Sequence, residues 1–161
     1  MEKLLLFPPL LVAGCLMAGA YGMIHNQISY TVSPDYFHGF KFQQFRIPAD
    51  QQNRIGAAIV GWQASWWMGL IIGVPVLAVA LILPGWKAYL NYSLRAFGVV
   101  ALTGLGVGLL GLTLHADNAF YRAGNMHNCS YLGGGIGIIS AWIYLIWVRS
   151  KLPQAASETF P

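Results

Sequence analysis

Three of the four histidines in this sequence, His25, His115 and His127, stand at the ends of long apolar stretches. Each also continues a row of small residues at helical spacing. Gly14, Ala18 and Gly22 lead to His25, and Gly104, Gly108 and Gly111 lead to His115. His127 lies one turn ahead of Ser130, Gly134, Gly137 and Ala141. Small faces let helices approach closely, so helices that touch through them bring the imidazoles together at one end of the bundle. A cluster of that kind suits zinc, copper or iron, with Asp117 or Asp35 as an oxygen ligand. Two of the imidazoles could instead ligate a haem axially. No spacing here is a metal motif in itself, since His115-x-Asp117 and Met126-His127-x-Cys129 are both short. The competing reading is structural: each histidine caps or hydrogen-bonds a helix end at the membrane interface.

The surroundings of two histidines repeat. His25-Asn26-Gln27-Ile28-Ser29-Tyr30 and His127-Asn128-Cys129-Ser130-Tyr131 both read His-Asn, a short gap, then Ser-Tyr. The asparagines could orient the imidazoles by hydrogen bonding, or the repeat could be coincidence. Other chemistry is sparse. No acidic residue lies in the middle of an apolar stretch, which argues against a pump with a midplane carboxylate. There is no glycine loop for phosphate, and no nucleophile with an evident base. Ser29 and Ser130, each near a histidine, are left open as exceptions, so the sequence does not decide whether the protein is an enzyme.

The elements that would position these groups are membrane helices. Of the 161 residues, 57% are hydrophobic and 9% charged, against about a quarter charged in ordinary soluble domains. Four apolar stretches approach or exceed the ~20 residues that cross a bilayer. The fold class expected is an all-α membrane protein, a four-transmembrane-helix bundle forming one domain over residues 1–152. Its spans are placed at about 4–24, 55–83, 96–114 and 130–148, with an ordered extracytoplasmic loop over 25–54 and a disordered tail over 153–161. The second span is about 43 Å long if wholly helical, so it must tilt or project from the membrane. Pro75 is expected to kink it. Within the loop, Ile28 to Val32 reads as a short extended piece. Tyr36, Phe37, Phe40, Phe42 and Phe45, interleaved with Lys41 and Arg46, suit either a segment lying on the lipid headgroups or a cap over the bundle. Pro84 to Arg95 and His115 to Cys129 read as connectors.

In the second span Trp62 and Trp66, and Gln63 and Trp67, pair at i, i+4. They read as an aromatic belt with core packing, or as a cofactor or lipid pocket formed by Trp62, Gln63 and Trp66. The net charge of +4 is spread over helix ends, which bears on orientation and gives no footing for nucleic acid. With four spans, Lys3, Lys87, Arg95, Arg149 and Lys151 share a side, and Lys41, Arg46, Arg54 and Arg122 share the other. The first group hugs the span ends, which favours both termini in the cytoplasm of a plasma or inner membrane. The first span could also be a cleaved signal peptide, or be lipidated at Cys15 after the box Val12-Ala13-Gly14.

The leading functional expectation is a small integral membrane subunit or accessory protein. It would pack through its small-residue faces and aromatic belts into a larger or homo-oligomeric assembly, with lipid, other membrane subunits or further copies of itself as partners. The alternative is a metal- or haem-binding membrane redox protein, with His25, His115 and His127 as ligands and Asp117 as ligand or orienting group.

Overall fold

A computed structural model of the chain describes residues 2–114 and 117–153. His115 and the tail 154–161 lie outside the described residues. Five helices form the body: α1 (Glu2–Val32), α2 (Arg54–Ser65), α3 (Met68–Ala80), α4 (Gly85–Gly111) and α5 (Ala119–Lys151). Three of them, α1, α4 and α5, are long and apolar enough to cross a membrane. The pair α2 and α3, bent by 46° at its break, makes a fourth span if taken as one. Helix is the form an apolar chain must take in lipid, where each backbone N–H and C=O needs a partner within its own segment.

Local chemistry sets the helix ends. The Asn53 side chain accepts from the backbone N–H groups of Ile55 (2.8 Å) and Gly56 (3.4 Å) at the start of α2. Asn118 does the same for Phe120 (3.0 Å) and Tyr121 (3.3 Å) at the start of α5, satisfying donors that have no partner within the helix. Arg149 and Lys151 close α5 in its last turn, where cations suit the helix dipole. At the same end of the bundle the Lys3 ammonium donates to the Leu81 and Leu83 carbonyls just beyond α3.

The helices depart from the sequence reading in four places. The first, α1, continues through Val32, so Ile28 to Val32 is helical and not extended. Its β-branched residues set only a weak local preference, outweighed by the contacts that Asn26 and Ser29 make across to neighbouring helices. The last helix, α5, starts at Ala119, so His127 and Cys129 belong to it and not to a connector. Likewise α4 starts at Gly85, absorbing most of Pro84 to Arg95; Gly85 itself has φ +65°, a turn conformation open to glycine. Pro75 lies inside α3, and the break falls instead at Trp66 and Trp67. There the backbone bonds tighten to three-residue steps, Gly69 N–H to Trp66 C=O (3.1 Å) and Leu70 N–H to Trp67 C=O (3.0 Å).

The most extensive packing is α4 on α5 and α1 on the bent pair, with α1 also lying against α4. The small-residue faces make these contacts. Gly22 and Gly61 meet backbone to backbone between α1 and α2, and Gly133 fits against Gly104 between α5 and α4. The faces expected to meet partner subunits are thus used within the chain. The segment between α1 and α2 folds into short helical pieces, Pro34–Tyr36, Phe37–Lys41 and Phe42–Gln44. Tyr36, Phe37, Phe42 and Ile47 bury against Ala57, Val60 and Ala123. Of the two readings of this aromatic segment, the cap is the one the burial shows, with Phe40 alone among the large apolar rings left exposed.

Candidate functional site

Because α1 runs past His25 and α5 begins before His127, the two His-Asn…Ser-Tyr segments lie side by side, and they cross-pair. His25 Nε2 is 2.9 Å from Ser130 Oγ, and His127 Nε2 is 3.2 Å from Ser29 Oγ. The crossed pairing is what two antiparallel helices in one register produce, later residues of one meeting earlier residues of the other. The two rings meet edge to face with centroids 4.7 Å apart. Tyr36 from the cap stacks on His127 at 5.3 Å, and Tyr21, one turn below His25, lies 5.7 Å from it.

Hydrogen bonding orients the groups around His25. The Asn26 amide N–H donates to the Ala57 carbonyl at 3.0 Å, which turns its Oδ1 toward His25 Nδ1 at 3.4 Å. In the tautomer protonated at Nδ1, that nitrogen faces Asn26 Oδ1 and Nε2 accepts from the Ser130 hydroxyl; the Met126 carbonyl also lies within hydrogen-bonding reach of the ring. The Tyr21 hydroxyl is buried beside Ser130, close to it but outside good hydrogen-bond geometry.

Below this cluster lies a cavity of about 310 Å³ between α1, the bent pair and the α4–α5 hairpin. Met17, Met68, Ile72, Phe97, Val100 and Ile138 supply apolar wall; His25, Asn26, His127, Ser130 and Lys41 form its polar end. Its border includes Ile71 on α3 and Tyr131 on α5, 55% and 56% exposed, so it opens sideways between those helices. Below the opening the Trp142 indole N–H donates to the Pro75 carbonyl at 3.2 Å and ties α5 to α3. Along α1 the lining runs from Gly14 to Asn26, and along α5 from His127 to Ile138. These stretches are roughly 16–18 Å of helix.

Lys41 comes from the cap. Its ammonium donates to Gln44 Oε1 at 3.2 Å and lies over the Phe40 ring at 4.9 Å and the Tyr36 ring at 5.7 Å. Burial lowers the Lys41 pKa from its ordinary 10.5, and burial with the Tyr131 phenol nearby pushes Tyr36 up to about 12. No aspartate or glutamate among the described residues lines the cavity. The polar end is rich in donors and carries an unpaired positive charge.

Of the residues singled out from the sequence, His25 and His127 come together. His115 lies outside the described residues, and Asp117 and Asp35 are exposed. Among the described residues no group of three or more histidines, cysteines or carboxylates converges. A linear axial pair, with nitrogens about 2 Å from a metal, sets ring centroids roughly 6 Å apart. The 4.7 Å spacing and the serine partners on both Nε2 atoms do not match that arrangement. Trp62, Gln63 and Trp66 are exposed and absent from the cavity lining, with the Trp62 ring packed on Gly19 of α1; Ala64 and Ser65 line the cavity. Asn26 orients its imidazole as the repeat suggests, whereas Asn128 is exposed. Tyr21 and Lys41 were not legible as site residues, although the repeated His-Asn…Ser-Tyr was the signal that located the cluster. The chain matches no known family, no curated protein and no solved structure.

Proposed function

We propose that this integral membrane protein binds an acyl lipid with an anionic head, drawn sideways from the bilayer. The single observation behind this reading is the shape and polarity of the cavity: its lining spans roughly 16–18 Å of helix, apolar below its polar end, open on its flank and closed at that end by imidazoles and a lysine. A chain fits this apolar shaft. A head with acceptor oxygens suits the donors at its end, and a negative charge offsets the Lys41 ammonium that no carboxylate in the lining balances. Much of the small-residue surface that an assembly would use meets other helices inside the chain, Gly22 against Gly61 and Gly133 against Gly104.

The test is titration of detergent-purified protein with a long-chain fatty acid and with the alcohol of the same length. The acid is expected to bind more tightly, and Lys41→Met to weaken it by about tenfold (~1.4 kcal/mol) while leaving the alcohol unchanged. Absence of saturable binding by either amphiphile rejects the reading. A pH series gives a second check. The ammonium must be charged to hold the head, and burial lowers its pKa. Affinity for the acid should therefore fall with rising pH before the ordinary lysine value of 10.5 is reached. The alcohol should show no such fall.

A further inference from the structure

The cross-paired cluster does more than fasten two helices. Ser130 Oγ stands 2.9 Å from His25 Nε2, within reach for proton transfer. The opposite nitrogen of that ring faces Asn26 Oδ1, and Asn26 is itself anchored on the Ala57 carbonyl. The Tyr21 hydroxyl lies buried beside Ser130, outside good hydrogen-bond geometry to it. All four side chains converge where the polar end of the cavity meets the shaft. From this geometry we infer that Ser130 is a nucleophile, His25 its base and Asn26 the residue that positions the base, in a unit that cleaves the acyl ester of a lipid bound in the cavity. The inference rests on the lipid-binding reading above.

The depths agree with that substrate. In an ester lipid the charged head is outermost, the ester carbonyl next and the chain deepest. Here Lys41 in the cap is outermost, Ser130 and Tyr21 follow, and the apolar shaft lies beneath. Ser130 Oγ forms a bond to the carbonyl carbon and its proton passes to His25 Nε2. The carbonyl π electrons move to oxygen, where the Tyr21 O–H meets the charge. When the intermediate collapses, the bond to the alkoxy oxygen breaks and that oxygen takes the proton from His25, leaving as an alcohol. Water, the co-reactant, then adds to the acyl-serine and gives its proton to His25. A carboxylic acid is released and Ser130 is restored with that proton. The overall change is ester plus water to acid plus alcohol.

The second pair does not offer the same unit. Ser29 is fully buried and absent from the cavity wall, and its imidazole partner has no oriented asparagine, because Asn128 points away. His127 instead packs edge-on to His25 and holds that ring in place.

The experiment treats detergent-purified full-length protein with a long-chain alkyl fluorophosphonate, which traps activated serines, and locates the adduct by peptide mass spectrometry. Hydrolysis of a long-chain aryl ester is followed alongside. The adduct is expected on Ser130, and both signals should be lost in Ser130→Ala. Tyr21→Phe should slow hydrolysis by roughly 10²-fold or more, the order seen when one oxyanion donor is removed, with fatty-acid binding retained. If Ser130→Ala fails to fold, Tyr21→Phe and the site of the wild-type adduct still decide the matter. Fatty-acid binding without adduct or hydrolysis overturns this inference and leaves the binding reading standing. An adduct on Ser29 overturns the assignment to Ser130. Loss of both binding and labelling in the wild-type protein overturns both.

Discussion

Gly61→Leu is expected to leave no folded protein. A side chain at Gly61 runs into the Gly22 carbonyl and comes within 2.8 Å of the Met23 backbone nitrogen. These are main-chain atoms of a helix, so no rotamer change relieves the clash, and α1 and α2 must separate. Separation also removes the bond from Asn26 to the Ala57 carbonyl, one turn away on the same face. Overpacking a tight core commonly costs about 1–3 kcal/mol, and here the loss of the helix contact adds to it. Thermal unfolding in detergent, followed by size-exclusion fluorescence, should show aggregation or a steep fall in midpoint. Gly134→Ala is the control: nothing lies within 4 Å of its added methyl, and alanine favours helix by about 1 kcal/mol over glycine. A Gly61→Leu protein that melts with the wild type means that this close approach is not what holds α1 to α2.

The second large effect is expected from filling the cavity without disturbing the fold. Gly134 lines the cavity with open space where a side chain would project. Gly134→Phe therefore places a ring in the shaft at no cost in backbone contact. Fatty-acid affinity should fall at least about tenfold, while the melting midpoint holds or rises, because an apolar side chain replaces a void. The two readouts together separate a blocked site from a damaged protein. Unchanged affinity in a well-folded Gly134→Phe variant locates the lipid outside this cavity and rejects the depth argument for Ser130.

Both results bear on how the helices find one another. With His25 and His127 each bonded to the other helix's serine, α1 and α5 are held in one register. A slip by one turn breaks both bonds together. Interhelical hydrogen bonds in membranes contribute about 0.6–2 kcal/mol each, enough for a pair to favour one alignment but not to assemble the bundle. Assembly rests on the glycine contacts and on the core of Leu77, Tyr89, Phe97 and Leu145 at the opposite end.

The sequence by itself determined that the described chain is helical, which stretches are long and apolar enough to span a membrane, and which faces are small enough to pack closely. These follow from local composition and periodicity, because lipid leaves the backbone no partner outside its own helix and spacing alone sets which residues share a face. It also placed two of the three singled-out histidines at one end of the bundle. What it did not determine was which face meets which, at what depth and in what register. Trp62, Gln63 and Trp66 stand out in composition, yet they are absent from the cavity lining, and Ala64 and Ser65 line it instead. The repeat around His25 and His127 was visible, but its crossed pairing was not. Lys41 reached the site only because the aromatic segment folds back as a cap. Each of these depends on the rotation and offset between helices far apart in the chain, settled by mutual fit of side chains across the interface, and periodicity within one helix carries no record of that fit.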